Sequence, residues 1–304
     1  MRAAFLGTPS AAVPPLAALL DVADVPVVVT RPDAPKGRSG RPAPPPVKLA
    51  AAEWGIEVAQ PASSKELLTV LRGHALDLGV VVAYGRILGS EALATTRAGF
   101  VNLHFSLLPR WRGAAPVERS ILAGDAVTGI SLMHLDEGMD TGPIISAVET
   151  PIEDDETGGT LTARLSYLAG ELLSEALPAY MAGALQPAAQ ISAAATYAAR
   201  LHTEEGKLDP SQPAEELARR VRGYNPRPGA WLEIAGQRLK VWEAVPVGEA
   251  GVATGRIDMV GDDVILGTGD GGLSMRRVQP AGKRPIAALT WMNGRRREPA
   301  IVDP

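Results

Sequence analysis

Asn102 and His104, two residues apart in the stretch VNLHF, carry the chemistry most readily read from this chain. Residues i and i+2 of a β-strand share a face, roughly 7 Å apart along the chain. The amide and the imidazole therefore address one site. An amide N–H can hydrogen-bond a developing oxyanion, and an imidazole can exchange a proton near neutral pH. The carboxylate that would orient the imidazole has to come from elsewhere, and LDEGMDTGPI (135–144) offers Asp136, Glu137 and Asp140. Asp140 lies in a Gly-Met-Asp-Thr-Gly turn, a loop position rather than a strand face. There is no cysteine and no G-x-S-x-G elbow to supply a nucleophile. The other histidines, His74, His134 and His202, share no metal-ligand spacing. Amide, imidazole and carboxylate without a protein nucleophile suit direct acyl transfer. A substrate amine attacks a carbonyl, Asn102 holds the oxyanion, and His104 with Asp140 manages protons. Each piece alone has a structural use, an Asp between glycines most obviously as a turn former; the combination, in this order, points to a site.

The elements around these residues predict how they are presented. MRAAFLGT, VPVVVT, LDLGVVVAY and GFVNLHF are apolar runs of strand length. They alternate with helical patterns in PSAAVPPLAALLDVAD, VKLAAAEWG and SSKELLTVLRG, the last with Ser at a plausible N-cap. Continuous apolar strands between helices indicate a doubly wound, mainly parallel α/β sheet. Such sheets bind ligands at the carboxyl ends of their strands, where Asn102 and His104 fall. AAPVERSILAGD reads as a helix. VTGISLMHLDE reads as a strand with one wet face, and GPIISAVETPI as its hairpin partner. TGGTLTARLSYLAGELLSEALPAYMAG is a long amphipathic helix with Thr160 as a candidate cap. Periodicity is lost from about 186 to 212, which suggests a crossing segment between domains. Beyond it, the helix AEELARRVRG precedes short alternating strands with Gly-rich turns, the pattern of a small β-barrel. The first strand–helix turn, GTPSAAVP, lacks the three spaced glycines of a dinucleotide site, so no NAD is expected.

Composition narrows the class. The 304 residues are 46% hydrophobic and 21% charged, enough apolar content for a substantial core and room for two domains. Without cysteine, disulfides and zinc–thiolate sites are excluded, in keeping with a reducing, cytoplasmic setting. GTPS interrupts the N-terminal apolar run too early for a secretion signal. The net charge of −4 is unevenly spread. Residues 1–199 hold 14 basic and 20 acidic side chains, whereas residues 200–304 hold 16 basic and 14 acidic. Basic clusters stand at 219–222, 276–277, 283–284 and 295–297. A loop at 30–48 carries Arg31, Lys36, Arg38, Arg41 and Lys48 against Asp33.

VNLHFSLLPRWRGAAPVE followed by LDEGMDTGPI resembles the core of the formyltransferases that use 10-formyltetrahydrofolate. The resemblance extends through FLGTPSAAVPPLAALL, the 30–56 stretch, VVVAYGRIL, YNPRPGAWLEIAGQRLKVW and QPAGKRP, which spread over nearly the whole chain. It implies that Asn102, His104 and Asp140 are catalytic and that Ser106, Leu107, Leu108 and Pro109 contact the folate. It implies a Rossmann-like catalytic domain (1–189), a linker (190–206) and an OB-like β-barrel (207–304) that binds tRNA. The implied reaction moves a formyl group from the folate cosubstrate to the α-amine of methionine on initiator tRNA, without a metal, in a monomer. Lys36, Arg38 and Arg41 would meet the tRNA acceptor end. Phe105 departs from the family pattern, which has Gly there. Three other readings account for part of the pattern: a sugar-nucleotide or glycinamide ribonucleotide acceptor, a folate hydrolase, and a non-catalytic RNA-binding module. The basic 30–48 loop speaks against the first and the intact Asn-His-Asp set against the last.

Overall fold

The computed structural model describes residues 1–35 and 40–303. They form two compact units, one built from Met1–Pro116, Val127–Pro151 and Thr162–Ala198, the other from Val117–Ala126, Ile152–Leu161 and Ala199–Pro304.

In the first unit the apolar runs form β1 (Arg2–Gly7), β2 (Asp24–Val29), β3 (Glu57–Ala59), β4 (Leu78–Val82) and β5 (Phe100–His104). They are joined by β6 (Val127–His134) and β7 (Ile144–Pro151). The sheet order is β7-β6-β5-β4-β1-β2-β3. All pairs from β5 to β3 are parallel, while β6 and β7 run antiparallel. Strand order reverses between β1 and β4, the place where a doubly wound sheet opens a crevice. There the Thr8 hydroxyl donates to the Tyr84 carbonyl (2.9 Å), tying the turn after β1 to the turn after β4.

Its helices are α1 (Val13–Leu20), α2 (Pro46–Glu53), α3 (Ser64–Arg72) and the single turn α4 (Ser90–Leu93). Helix α5 (Pro116–Ala123) falls in the second unit apart from Pro116, and α6 (Gly158–Met181) belongs to the first unit from Thr162 onward. Prolines open α1 and α2, where a missing N–H costs nothing. Ser63 caps α3: its hydroxyl accepts from Glu66 N–H (3.2 Å), and the Glu66 carboxylate accepts from Ala62 N–H (2.9 Å). Leu67 and Leu71 of α3 pack with Leu6, Val27, Val29 and Phe100 on one layer of the sheet. Along α6, Leu161, Leu165, Ala169, Leu172, Leu173 and Leu177 make a buried stripe at helical spacing.

Two expectations need correction. Thr157, not Thr160, caps α6: Thr160 N–H donates to Thr157 Oγ1 (3.1 Å), and Thr157 N–H returns a bond to Thr160 Oγ1 (2.8 Å). These reciprocal bonds start the helix at Gly158, which places Thr160 inside its first turn. Strand β6 has no wet face, since Thr128 to Met133 are all buried. The loop after β5 covers it: a Cβ at Gly129 would run into Leu107, and Ser131 Oγ donates to Ser106 O (2.8 Å).

The second unit contains α7 (Ala214–Gly223) and an antiparallel sheet of β8 (Ala230–Ile234), β9 (Gln237–Val247), β10 (Arg256–Val260), β11 (Asp263–Gly267) and β12 (Gly272–Pro280). The short β13 (Ile286–Ala287), α8 (Ala288–Gly294) and β14 (Ala300–Ile301) complete it. The order is β8-β9-β12-β11-β10-β14, with β13 on β12. Asp303 N–H donates to Glu233 O (2.7 Å), bringing the chain after β14 back to β8 at the opposite end of that order. Leu217, Ala218 and Val221 of α7 share one core with Leu232, Val241, Leu266, Leu273 and Met292.

Candidate active site

Every residue of β5 is buried, including Asn102 (9% exposed) and His104 (5%). Polar groups in such a strand cost free energy unless something bonds them. For His104 that partner is the Trp111 carbonyl, 2.8 Å from Nε2. A carbonyl only accepts, so Nε2 carries the proton and Nδ1 is the nitrogen left to take one. Nδ1 faces the Asp140 carboxylate at 3.6 Å, an ion-pair distance longer than a hydrogen bond. The carboxylate thus stands ready to stabilise an imidazolium, while the Trp111 carbonyl orients the ring. Among the described residues nothing hydrogen-bonds the Asn102 amide. An unpaired amide at a buried strand end suits a ligand oxygen.

Of the three candidate carboxylates, Asp136 is consumed by its own turn, accepting from Gly138 N–H (3.0 Å) and the Thr141 hydroxyl (2.8 Å). Glu137 is exposed. Asp140 takes a left-handed backbone (φ +54°), which Asp tolerates better than most residues. Its carboxylate accepts from Gly113 N–H at 2.8 Å. Gly113 has φ +122°, and a Cβ there would lie 2.8 Å from Ala198 O. Only glycine puts that N–H there without strain.

Several contributing groups were not visible in the sequence. The Trp111 carbonyl and the Gly113 N–H are backbone groups, which carry no residue signature. Arg112 is buried and bonds Gln190, whose amide reaches the Asp140 turn. Ser131, a hydroxyl in the middle of the apolar stretch ISLM, was a usable signal.

The stretch Ser106 to Pro109 folds directly beyond His104. Ser106 is buried, with its hydroxyl donating to Arg110 O (2.6 Å), and Leu108 N–H donates to Ser131 Oγ (3.0 Å). Leu107 and Pro109 are half-buried, and Arg110 stacks over the Trp111 ring, 4.5 Å from its centroid. Phe105, the first residue beyond β5, is buried. Lys36 and Arg38 lie outside the described residues. Arg41 is exposed beside the two-residue ladder of Ala34–Pro35 with Pro42–Ala43. Lys48 pairs with Asp33 at 2.8 Å, and that bond, with one from Gln60, holds the Asp33 carboxyl below its usual range. Among the described residues no group of three His, Asp or Glu side chains could hold a metal.

A doubly wound sheet with an amide beside an imidazole–carboxylate pair at the end of β5 is an arrangement suited to acyl-group transfer. Residues 1–177 match the Formyl transferase family and residues 200–296 its C-terminal domain. A methionyl-tRNA formyltransferase from Halorhodospira halophila is 47% identical over 302 residues, covering 98% of this chain and 97% of that protein. One from Myxococcus xanthus is 43% identical over 301 residues, covering 98% and 96%. A crystal structure of HypX from Aquifex aeolicus in complex with tetrahydrofolic acid aligns with a TM-score of 0.67 at 16% identity, covering 96% of this chain and 47% of that one. At that identity the likeness is one of fold. The chain belongs to the formyl transferase family, in its methionyl-tRNA formyltransferase branch.

Proposed function

We propose that this protein transfers a formyl group from 10-formyltetrahydrofolate to the α-amine of methionine carried on initiator tRNA. The observation that carries this reading is the His104–Asp140 pair (3.6 Å) beside the unpaired Asn102 amide at the end of β5. The neutral amine attacks the formyl carbon, a C–N bond forms, and the carbonyl electron pair moves to oxygen. Asn102 donates a hydrogen bond to that oxyanion, which preorganised donors stabilise strongly in a dry site. His104 takes the amine's proton at Nδ1, and Asp140 stabilises the resulting imidazolium. Collapse of the intermediate expels N10 of the folate, which regains a proton from His104.

The folate would lie against Ser106, Leu107, Leu108 and Pro109, where half-buried apolar side chains and fixed backbone suit a flat heterocycle. Residues 1–189 would form the catalytic domain, 190–206 the linker, and 207–304 an OB-like domain that holds the tRNA largely through phosphates. Lys36, Arg38 and Arg41 would contact the acceptor end. Among the described residues no helix is long and apolar enough to cross a membrane; the working state would be a cytoplasmic monomer. The test is formyl transfer to methionine-charged initiator tRNA beside methionine-charged elongator tRNA. Transfer to the initiator alone supports the reading. Folate consumption with no RNA requirement would replace it with hydrolysis or a small-amine acceptor.

A further inference from the structure

Gln190 lies in the segment that follows α6 and reaches back to the turn that carries Asp140. Its Nε2 donates to the carbonyls of Asp140 (2.9 Å) and Gly142 (2.7 Å). Its Oε1 accepts from Arg112, from Nε at 3.0 Å and Nη2 at 2.7 Å. Both amide donors and the acceptor are engaged. Arg112 is only 3% exposed, and among the described residues it has no carboxylate at ion-pair distance. A buried guanidinium resting on a neutral amide is costly, and an apolar side chain would fill the space more cheaply. Its use here therefore asks for a purpose.

The surrounding chain supplies one. Ala188 exchanges two backbone bonds with Ile144, just beyond the Asp140 turn (2.8 Å each). Thr196 O accepts from Arg112 N–H (2.9 Å), and Ala198 O accepts from Ala114 N–H (2.8 Å). The stretch from 188 to 198 thus runs as a strap from the Asp140 turn to the loop after His104. Much of it falls in the region where sequence periodicity suggested a crossing segment.

We infer that Gln190 is a positioning residue for Asp140, with Arg112 fixing the orientation of the Gln190 amide. The inference rests on the reading of Asp140 as the charge partner of His104. Asp140 sits at φ +54° with glycines at 138 and 142, a turn with many accessible conformations once its bonds are cut. Gly113 N–H restrains the carboxylate, and Gln190 restrains the backbone at Asp140 and two residues beyond it. Misplacing a reacting group by about 1 Å can cost on the order of 100-fold in rate.

The test measures kcat and KM for both substrates in Gln190→Leu and Gln190→Glu, each with Asp140 intact and with Asp140→Asn, in steady-state assays beside thermal unfolding. Gln190→Glu keeps an acceptor for Arg112 but loses both donors to the turn, and it carries the test if Gln190→Leu fails to fold. With Asp140 intact, kcat should fall about 10- to 100-fold, with both KM values held within about threefold. With Asp140→Asn, the Gln190 variants should add little further loss, because no carboxylate is left to position. An equal further loss in that background would overturn the inference, as would full activity of both Gln190 variants. If Asp140→Asn is itself fully active, the reading of Asp140 falls and the inference falls with it. An inactive Asp140→Asn beside active Gln190 variants removes the inference alone.

Discussion

The imidazole of His104 is held by the carbonyl of Trp111, 2.8 Å from Nε2 and seven residues further along the chain. Trp111 adopts φ +62° within the loop that turns the chain back toward the strand end. This bond decides which ring nitrogen faces Asp140, and so where a proton is taken up.

Replacing Asn102 with Ala should lower kcat/KM by roughly 100- to 1000-fold, the usual cost of one oxyanion donor. The fold should persist, because the amide has no partner among the described residues to lose. His104→Ala should be similarly impaired. Steady-state kinetics beside circular dichroism checks both, and near-normal turnover in either folded variant would remove the mechanism.

Gly113→Ala should impair catalysis without touching an ionisable group. The new Cβ meets Ala198 O and the backbone is left-handed, a combination that costs on the order of 1–3 kcal/mol. Relief of that strain shifts the Gly113 N–H off Asp140. The expected result is a lower Tm together with a loss of kcat; an unchanged kcat would show that the carboxylate does not depend on this contact.

Glu118 in α5 provides a pH test of stability. Burial raises its carboxyl pKa above the ordinary 4.5. Below that value the carboxyl is protonated in folded and unfolded chains alike and contributes no pH-dependent term. As pH rises past it, the unfolded chain ionises first, so the folded state loses stability until the raised pKa is passed. Glu118→Gln should therefore raise Tm at pH 7 and make no difference near pH 3. Tm measured across that range decides it, and an equal shift at both ends would contradict the burial argument.

Neutralising Lys36, Arg38 and Arg41 should weaken tRNA binding and flatten its salt dependence. Each lost phosphate contact lowers the slope of log affinity against log salt by roughly 0.7–0.9. Binding titrations at several salt concentrations measure this directly. A weaker affinity with an unchanged slope would mean that these residues act other than through phosphates.

In the second unit, Leu217→Ala opens the core that α7 shares with the sheet. A cost of about 2–5 kcal/mol is expected. Denaturant unfolding of the full chain gives the value, and a change below 1 kcal/mol would show the site collapsing around the smaller side chain.

Much of the architecture was legible because it follows from local rules. Apolar runs bounded by turn residues became β1, β2, β4 and β5, and period-two spacing put Asn102 and His104 on one strand at its carboxyl end. Where a local rule failed, a distant segment had intervened. The face of β6 expected to be wet is covered by Leu107 and the loop tied to Ser131.

By itself, then, the sequence determined the strands, the helices and the pair of side chains that face the site, since these depend on periodicity and on residues close in the chain. It also narrowed the carboxylate to three within five positions. Residue spacing left Asp136, Glu137 and Asp140 open, and only the family resemblance singled out Asp140. What the tertiary structure adds is its placement, through a backbone N–H from Gly113 to its carboxylate and an amide from Gln190 to its carbonyl, 27 and 50 residues away. Which nitrogen of His104 holds the proton was settled in the same way, by a backbone carbonyl that every residue type possesses and that only the folded chain can aim.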